Sequence, residues 1–298
     1  MTWNEKRRVR VAAGEIAFVD AGDPEAPPVL LLSGGLTSSY LWRYLVPLLS
    51  PWMRVIAPDL LGSGDSESPQ GADLGLRAHA VNIRTLLEEI GVERFAVAGH
   101  GRGGGVAQLV ALEGAVEAMI LIDSVAFDGW PSRTIQDLRS RLEEIDEGFV
   151  RDWFETLFAK GMGHRHRLSD VDLGEYLRPF VGEDGARRFA RIAQHLDGGG
   201  LVGLEPRLSQ LDVPTLVLWG EDDAFLPADL AERLGDALPR ASIALLPGCG
   251  HFLLEDAPET VAPLIFQWLR SQYLGTPHRH AETVTVELGR RPPEDGRW

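Results

Sequence analysis

The stretch Val97-Ala98-Gly99-His100-Gly101-Arg102-Gly103-Gly104-Gly105 constrains this chain more than any other. It follows an apolar, strand-like run and opens a helix-like run. That is the strand–turn–helix setting in which G-x-S-x-G raises a nucleophile at the apex of a tight turn. The central residue of such a turn carries a hydroxyl, a thiol or a carboxylate. Here it is Gly101, which carries nothing. The pattern dictates a local geometry and removes the side chain that usually acts there. Glycine relieves the strain of the turn and leaves space the size of a CH₂OH group at its apex.

Strand and helix signals alternate around this point. Val9 to Val11 and Glu15 to Val19 predict a hairpin around Ala13-Gly14. Val29 to Leu32, Arg54 to Asp59, Phe95 to Ala98 and Ala118 to Asp123 are short apolar runs, as expected of strands buried on both faces. Leu41 to Leu49, Leu76 to Ile90 and Arg102 to Leu112 predict helices between them. After Ser124 the alternation stops. Thr134 to Ile145, Gly148 to Lys160, Asp170 to Phe180 and Gly185 to Leu196 predict helices only. Alternation resumes with a strand at Thr215 to Trp219, a helix at Ala228 to Leu238, a strand at Ser242 to Leu246 and a helix at Pro258 to Tyr273. Such a sequence predicts an α/β fold with a largely parallel sheet. The core is expected over residues 1–126 and 209–275, with a helical cap over 127–208. Residues 276–298 are expected to be a disordered tail, although Thr283 to Val286 is strand-like.

Composition narrows the function. The net charge of −15 opposes phosphate backbones and anionic membrane surfaces, so neither nucleic acid nor membrane is an expected partner. No apolar run is long enough to span a bilayer, and no apolar stretch follows the basic start to make a signal peptide. The single cysteine, Cys249, excludes an internal disulfide and suits a reducing compartment. We therefore expect a cytoplasmic protein acting on a small apolar substrate or ligand. His164-Arg165-His166 and His278-Arg279-His280 lack a third ligand nearby and are expected to be solvated loops. Neither a metal nor a cofactor is expected.

Four pieces occur in order: Val55-Ile56-Ala57-Pro58-Asp59-Leu60-Leu61-Gly62-Ser63-Gly64-Asp65-Ser66, the turn at 99–103, Leu218-Trp219-Gly220-Glu221-Asp222-Asp223, and Leu246-Pro247-Gly248-Cys249-Gly250-His251. With them the chain, over roughly residues 9–273, resembles the α/β-hydrolase superfamily, in particular the capped branch of epoxide hydrolases, haloperoxidases and carbon–carbon bond hydrolases. The resemblance implies a mostly parallel central sheet flanked by helices, an inserted helical cap, and a triad in the order nucleophile, acid, histidine. It places the nucleophile position on Gly101, the acid on Asp223 and the base on His251. Asp222 is adjacent to the acid, and Asp123 occupies the alternative acid position of some relatives. The same resemblance places oxyanion-binding amides on Arg102 and Gly35, or on Leu36 if the loop register shifts. Where the family has His-Gly before the oxyanion loop, this chain has Ser33-Gly34.

Around that centre, Ser33, Leu36, Trp42, Ser124, Trp130 and Trp153 are candidate pocket residues. Ser33, Ser38, Ser39 and Ser124 do not sit on an elbow and are poor substitutes for the nucleophile. Cys249 is expected to pack, and His100 to point into the core. Three functions fit: an enzyme using His251 and Asp223 as an acid–base pair without a covalent intermediate, a non-catalytic protein that binds a small ligand, or a hydrolase whose nucleophile has been replaced by engineering. For the enzyme, lyase, isomerase, cyclase or water-mediated hydrolytic chemistry on a carbonyl or hydroxy compound is open.

Overall fold

The computed structural model describes residues 5–275. The expectations for the tail, including Thr283 to Val286 and His278-Arg279-His280, lie outside the described residues.

Eight strands form one sheet. They are β1 (Arg7–Val11), β2 (Gly14–Ala21), β3 (Pro28–Leu32), β4 (Arg54–Pro58), β5 (Phe95–His100), β6 (Val116–Ile122), β7 (Thr215–Gly220) and β8 (Ala241–Leu246). Their order is β1-β2-β4-β3-β5-β6-β7-β8. The expected hairpin is β1–β2, and β2 joins β4 antiparallel; every other pairing is parallel. The central strands are apolar throughout because both faces are covered. Leu30, Leu32, Val97 and Leu121 pack on one face, while Val29, Leu31, Ala96, Ala98 and Ile120 pack on the other.

The helices are α1 (Val46–Leu49), α2 (Leu76–Glu89), α3 (Arg102–Ala111), α4 (Arg133–Ser140), α5 (Glu147–Gly161), α6 (Asp170–Leu177), α7 (Gly182–Gln194), α8 (Glu205–Leu208), α9 (Asp229–Ala237), α10 (Leu253–Asp256) and α11 (Pro258–Gln272). Residues of α2, α3 and α9 pack with the first face, and residues of α1 and α11 with the second. Between β6 and β7 the described residues form helices α4–α8 and no strand. Phe154, Phe180 and Phe189 build the centre of that helical segment, with ring centroids 5.6–6.0 Å apart.

Several helix ends differ from expectation. The stretch from Leu41 to Leu49 is not one helix but a 3₁₀ turn, Ser39–Trp42, followed by α1. Pro47 lacks an amide hydrogen and collides with the carbonyl four residues back, which breaks a continuous helix. Pro179 likewise ends α6 at Leu177, and a 3₁₀ turn follows. The segment from Thr134 to Ile145 divides into α4 and a 3₁₀ turn, Leu142–Glu144. Helices α8 and α10 are single turns, too short to show a period.

The strand order reverses between β3 and β5. The crevice at such a reversal, beyond the carboxyl ends of the strands, is where open α/β sheets bind ligands. Here it sets the loop after β3 opposite the turn after β5. Asp59, fully buried at the end of β4, holds this region together. One carboxylate oxygen accepts from Ser39 N–H at 2.8 Å and the other from Asp65 N–H at 2.8 Å. No helix among the described residues is long and apolar enough to cross a membrane.

Candidate active site

Gly101 sits between β5 and α3 with φ +53° and ψ −118°. That left-handed conformation is costly for any residue with a Cβ. Its N–H donates to Ile122 O at 2.9 Å, and its carbonyl accepts from Gly104 and Val125 N–H, both at 3.1 Å. The neighbouring glycines are there for contact. A Cβ on Gly103 would overlap the Leu32 carbonyl oxygen, and one on Gly104 would overlap Ser124 Oγ. At Gly101 the space is open. A Cβ there would lie 3.4 Å from His251 Nε2 and meet no atom closer than that. The apex is therefore aimed at the imidazole.

His251 follows the turn after β8, and its Nδ1 lies 2.8 Å from Asp223 Oδ2. The Asp223 side chain is fully buried in the loop after β7. Its other oxygen accepts from Phe225 N–H at 2.8 Å and Leu226 N–H at 3.0 Å. The carboxylate is thus fixed by backbone donors and orients the ring, with Nδ1–H donated to it and Nε2 presented toward Gly101. Phe225 and Phe252 wall the imidazole, with ring centroids 5.3 and 5.1 Å away. Asp222 is exposed, and the alternative acid, Asp123, does not reach the histidine. Asp123 is buried with φ +42°, and one of its oxygens accepts from Gly220 N–H at 2.8 Å while the other has no partner. Burial, reinforced by the Asp223 charge, pushes its carboxyl well above the usual carboxylate range.

A pocket of about 590 Å³, including its mouth, opens over this pair. Its floor is Gly34, Gly35, Leu36, Thr37, His100, Gly101 and Arg102. Its walls are Val125, Phe225, Leu226, His251 and Phe252, and its roof comes from Trp130, Ser132, Thr134, Ile135, Leu157 and Leu196. Leu36 and Trp130 are where the sequence places them. Four other pocket candidates are not part of the lining. Trp42 is fully buried among the α1 and α11 side chains on the far face of the sheet. Trp153 is half-buried against the core and stacks on Phe149, four residues away on α5, with ring centroids 6.4 Å apart. Ser124 is turned into the α3 contact, where Gln108 Nε2 donates to it at 3.1 Å. Ser33 is buried beneath the loop with no partner for its hydroxyl.

Two polar residues of the floor do more than expected. His100 is buried, as expected of it, but its ring also borders the pocket, 4.9 Å from that of His251. Arg102 contributes more than a backbone amide. Its buried guanidinium donates to the Leu74 and His195 carbonyls and to His79 Nε2. Burial pushes it down to about 10, with Asp197 and Asp73 only partly offsetting the loss of hydration. Arg102 is also the first residue of α3, so its N–H has no intrahelical acceptor and lies at the positive end of the helix dipole. Gly35 faces it across the floor; a Cβ there would lie 2.8 Å from Arg102 Cδ. The roof residues are not legible in the sequence, since they are apolar helix positions like many others. Phe225, Leu226 and Phe252 adjoin the acid and the base, a signal that could have found them.

A family model described as alpha/beta hydrolase fold matches residues 27–258. Haloalkane dehalogenase 2 of Mycobacterium tuberculosis is 29% identical over 278 residues, which cover 88% of this chain and 94% of that protein. A cis-3-alkyl-4-alkyloxetan-2-one decarboxylase of Xanthomonas campestris is 25% identical, covering 88% of this chain and 95% of that one. Among solved structures, an alpha/beta hydrolase fold protein from Burkholderia ambifaria superimposes with a TM-score of 0.80 at 27% identity, covering 88% of this chain and 97% of the other.

Proposed function

This chain belongs to the α/β-hydrolase fold family of enzymes, and we propose that it works without a covalent intermediate, using His251 and Asp223 as an acid–base pair on a small, largely apolar carbonyl or hydroxy compound. The observation that carries this is the pairing of a fully oriented imidazole with an apex that has no side chain. Nδ1 is held by Asp223 at 2.8 Å, and Nε2 faces the point 3.4 Å away where a nucleophile's Cβ would stand.

In the proposed reaction, Nε2 takes a proton from substrate carbon or hydroxyl, or from a water that adds to the substrate carbonyl. The Asp223 carboxylate stabilises the resulting imidazolium. Negative charge gathers on the carbonyl oxygen, where the N–H groups of Arg102 and Gly35 would receive it. The imidazolium then returns its proton to another atom of the substrate or to a leaving group. Such a base supplies roughly 10²–10⁴-fold, and one amide donor another 10²–10³. Two relatives are named for dehalogenation and for decarboxylation, chemistries other than ester hydrolysis.

The test has two arms. The wild-type chain should resist fluorophosphonate labelling, whereas Gly101→Ser should be labelled at position 101 and hydrolyse an activated aryl ester weakly. Labelling of the wild type at Ser33, Ser38, Ser39 or Ser124 would show a nucleophile after all. Across a panel of esters, epoxides and β-carbonyl compounds, at least one class should be turned over by the wild-type chain. His251→Ala should remove most of the rate and leave ligand binding within about tenfold, because a base acts on the transition state. If the panel gives no turnover and His251→Ala weakens binding instead, the protein is a ligand carrier.

A further inference from the structure

Asp256 ends α10, five residues after His251, and its side chain is fully buried. Its N–H donates to the Phe252 carbonyl at 2.9 Å, so the single turn of α10 folds the carboxylate back toward the residues that precede His251. Oδ2 accepts from Gly250 N–H at 2.8 Å and from Gly163 N–H at 2.9 Å. Oδ1 accepts from His164 N–H at 2.8 Å. Gly250 is the residue before His251, whereas Gly163 and His164 follow α5 in the helical segment between β6 and β7. One buried carboxylate thus joins the turn that carries the imidazole to a link of that segment, through charge-assisted hydrogen bonds.

The two pieces meet backbone to backbone. A Cβ on Gly163 would lie 1.9 Å from the Gly248 carbonyl oxygen, and one on Gly250 would lie 2.3 Å from that of Gly161. Phe252 N–H donates to the Gly161 carbonyl at 3.3 Å. On the other flank Asp222 N–H donates to the Cys249 carbonyl at 3.0 Å. His100 Nε2 is 2.8 Å from the His251 carbonyl oxygen, and because a carbonyl only accepts, Nε2 carries the hydrogen. Peptide groups on both sides of His251 are therefore held by residues distant in the chain. The turn Gly248-Cys249-Gly250 has little side chain of its own to hold it by packing. Asp223 orients the ring, but where the backbone of His251 stands depends on these bonds.

We propose that Asp256 is a positioning residue for His251: its carboxylate docks the turn before the imidazole onto the link after α5, and the 2.8 Å bond from Nδ1 to Asp223 forms only while that link is in place. This rests on His251 being the base, as proposed above, and makes the helical segment part of the mount of the base as well as the roof of the pocket. A displacement of the turn by about 1 Å breaks the bond to Asp223 and moves Nε2 off the apex at Gly101, and misplacement of that size costs a reaction about 100-fold.

The readout is the Nδ1–H proton of His251 in the proton NMR spectrum of the full chain, assigned by its loss in His251→Ala. Held by a carboxylate, this proton resonates far downfield and is protected from exchange; released to solvent, it is not seen. Asp256→Ala removes all three acceptor contacts and should abolish the resonance while the chain is still folded. Asp256→Asn, whose amide oxygen can still receive Gly250 and Gly163, should keep it. Gly163→Ala leaves Asp256 in place and forces the link off Gly248, so it should abolish the resonance too and decides the question if Asp256→Ala fails to fold. Tyr176→Phe, which weakens the fold away from the turn, should keep it. In the Gly101→Ser background, Asp256→Ala should lower kcat for an activated aryl ester about 100-fold and leave KM within about threefold. No such resonance in the wild type, its persistence in folded Asp256→Ala or Gly163→Ala, or its loss in Tyr176→Phe as well would overturn the proposal. If the resonance behaves as expected but Gly101→Ser never turns over ester, the positioning by Asp256 stands and the base role of His251 falls.

Discussion

His100 and His79 are fully buried and neutral, and each makes the folded state bind fewer protons than the unfolded chain. Burial is the main cause at both; the charge of His251 adds to it at His100, and that of Arg102 at His79. An unfolded histidine titrates near 6.5, whereas folded His100 titrates at about 3. Between those values only the unfolded state takes up the proton, so stability is lost as pH falls through this window. The slope is at most about 1.4 kcal/mol per pH unit for each histidine. Asp123 acts in the opposite direction, because its raised pKa makes the folded state keep a proton above the ordinary carboxylate range. His100→Gln separates the two effects. The glutamine amide can still donate to the His251 carbonyl and cannot titrate, while Asp123 is unchanged. Urea unfolding at a series of pH values between about 6 and 4 should show the wild type losing stability on acidification more steeply than this variant. Parallel curves would mean that His100 is not buried neutral.

At the scale of the element, the strand–turn–helix of β5 and α3 shows that glycines in one motif can have unlike reasons. Gly103 lets α3 approach the end of β3 so closely that a methyl group would overlap the Leu32 carbonyl oxygen. Gly103→Ala should cost about 1–3 kcal/mol or more, because backbone must move to admit it. Gly174 lies inside α6, and a methyl group added there would meet no atom within 4 Å. Gly174→Ala should therefore stabilise the chain by about 0.5–1 kcal/mol, through helix propensity alone. Midpoints of chemical unfolding, measured for both variants, check the pair. Similar signs for the two would show that packing at Gly103 is looser than the contacts indicate. The elbow itself is legible in the sequence because backbone geometry there depends on local residues. The breaks at Pro47 and Pro179 are equally local, and weighing proline against apolar spacing would have found them.

On the scale of the whole molecule, the helical segment between β6 and β7 is tied to the sheet by buried ions rather than by apolar contact alone. Arg43, after the 3₁₀ turn that follows β3, pairs with Glu255 of α10 at 2.6 Å and with Asp172 of α6 at 3.1 Å. Tyr176 of α6 donates to the same Glu255 at 2.5 Å, and Tyr40 donates to Asp172 at 2.8 Å. On the other side, Arg188 of α7 donates to the carbonyls of Gly62, Ser63, Gly64 and Ser66. Glu255→Ala leaves Arg43 buried with half its charge partners and should cost about 3–5 kcal/mol. Tyr176→Phe removes one hydrogen bond to a charged group and should cost about 1.5–3 kcal/mol. Urea unfolding gives both values, and limited proteolysis should show faster cleavage between residues 127 and 208 in Glu255→Ala. An unchanged cleavage rate would mean that this network does not hold the helical segment down.

The sequence by itself determined the alternation of strands and helices and the bend at Gly101, which follow from apolar periodicity and from short motifs in which residues close in the chain fix each other's backbone. The family resemblance implied His251 as the base and left Asp223, Asp222 and Asp123 open as the acid; the structure settles on Asp223. The sequence also determined that Gly101 brings no side chain to the apex. What lines the pocket was decided only by the tertiary structure. Trp42 and Trp130 are equally aromatic in the sequence, yet one is buried on the far face of the sheet and the other roofs the site. His100 is buried as expected, but nothing local says which residues its ring meets there. Only the packing of the turn after β8 sets its ring beside that of His251 at the edge of the pocket. Such contacts join residues far apart in the chain through van der Waals shape and shared hydrogen bonds, and no local pattern encodes them.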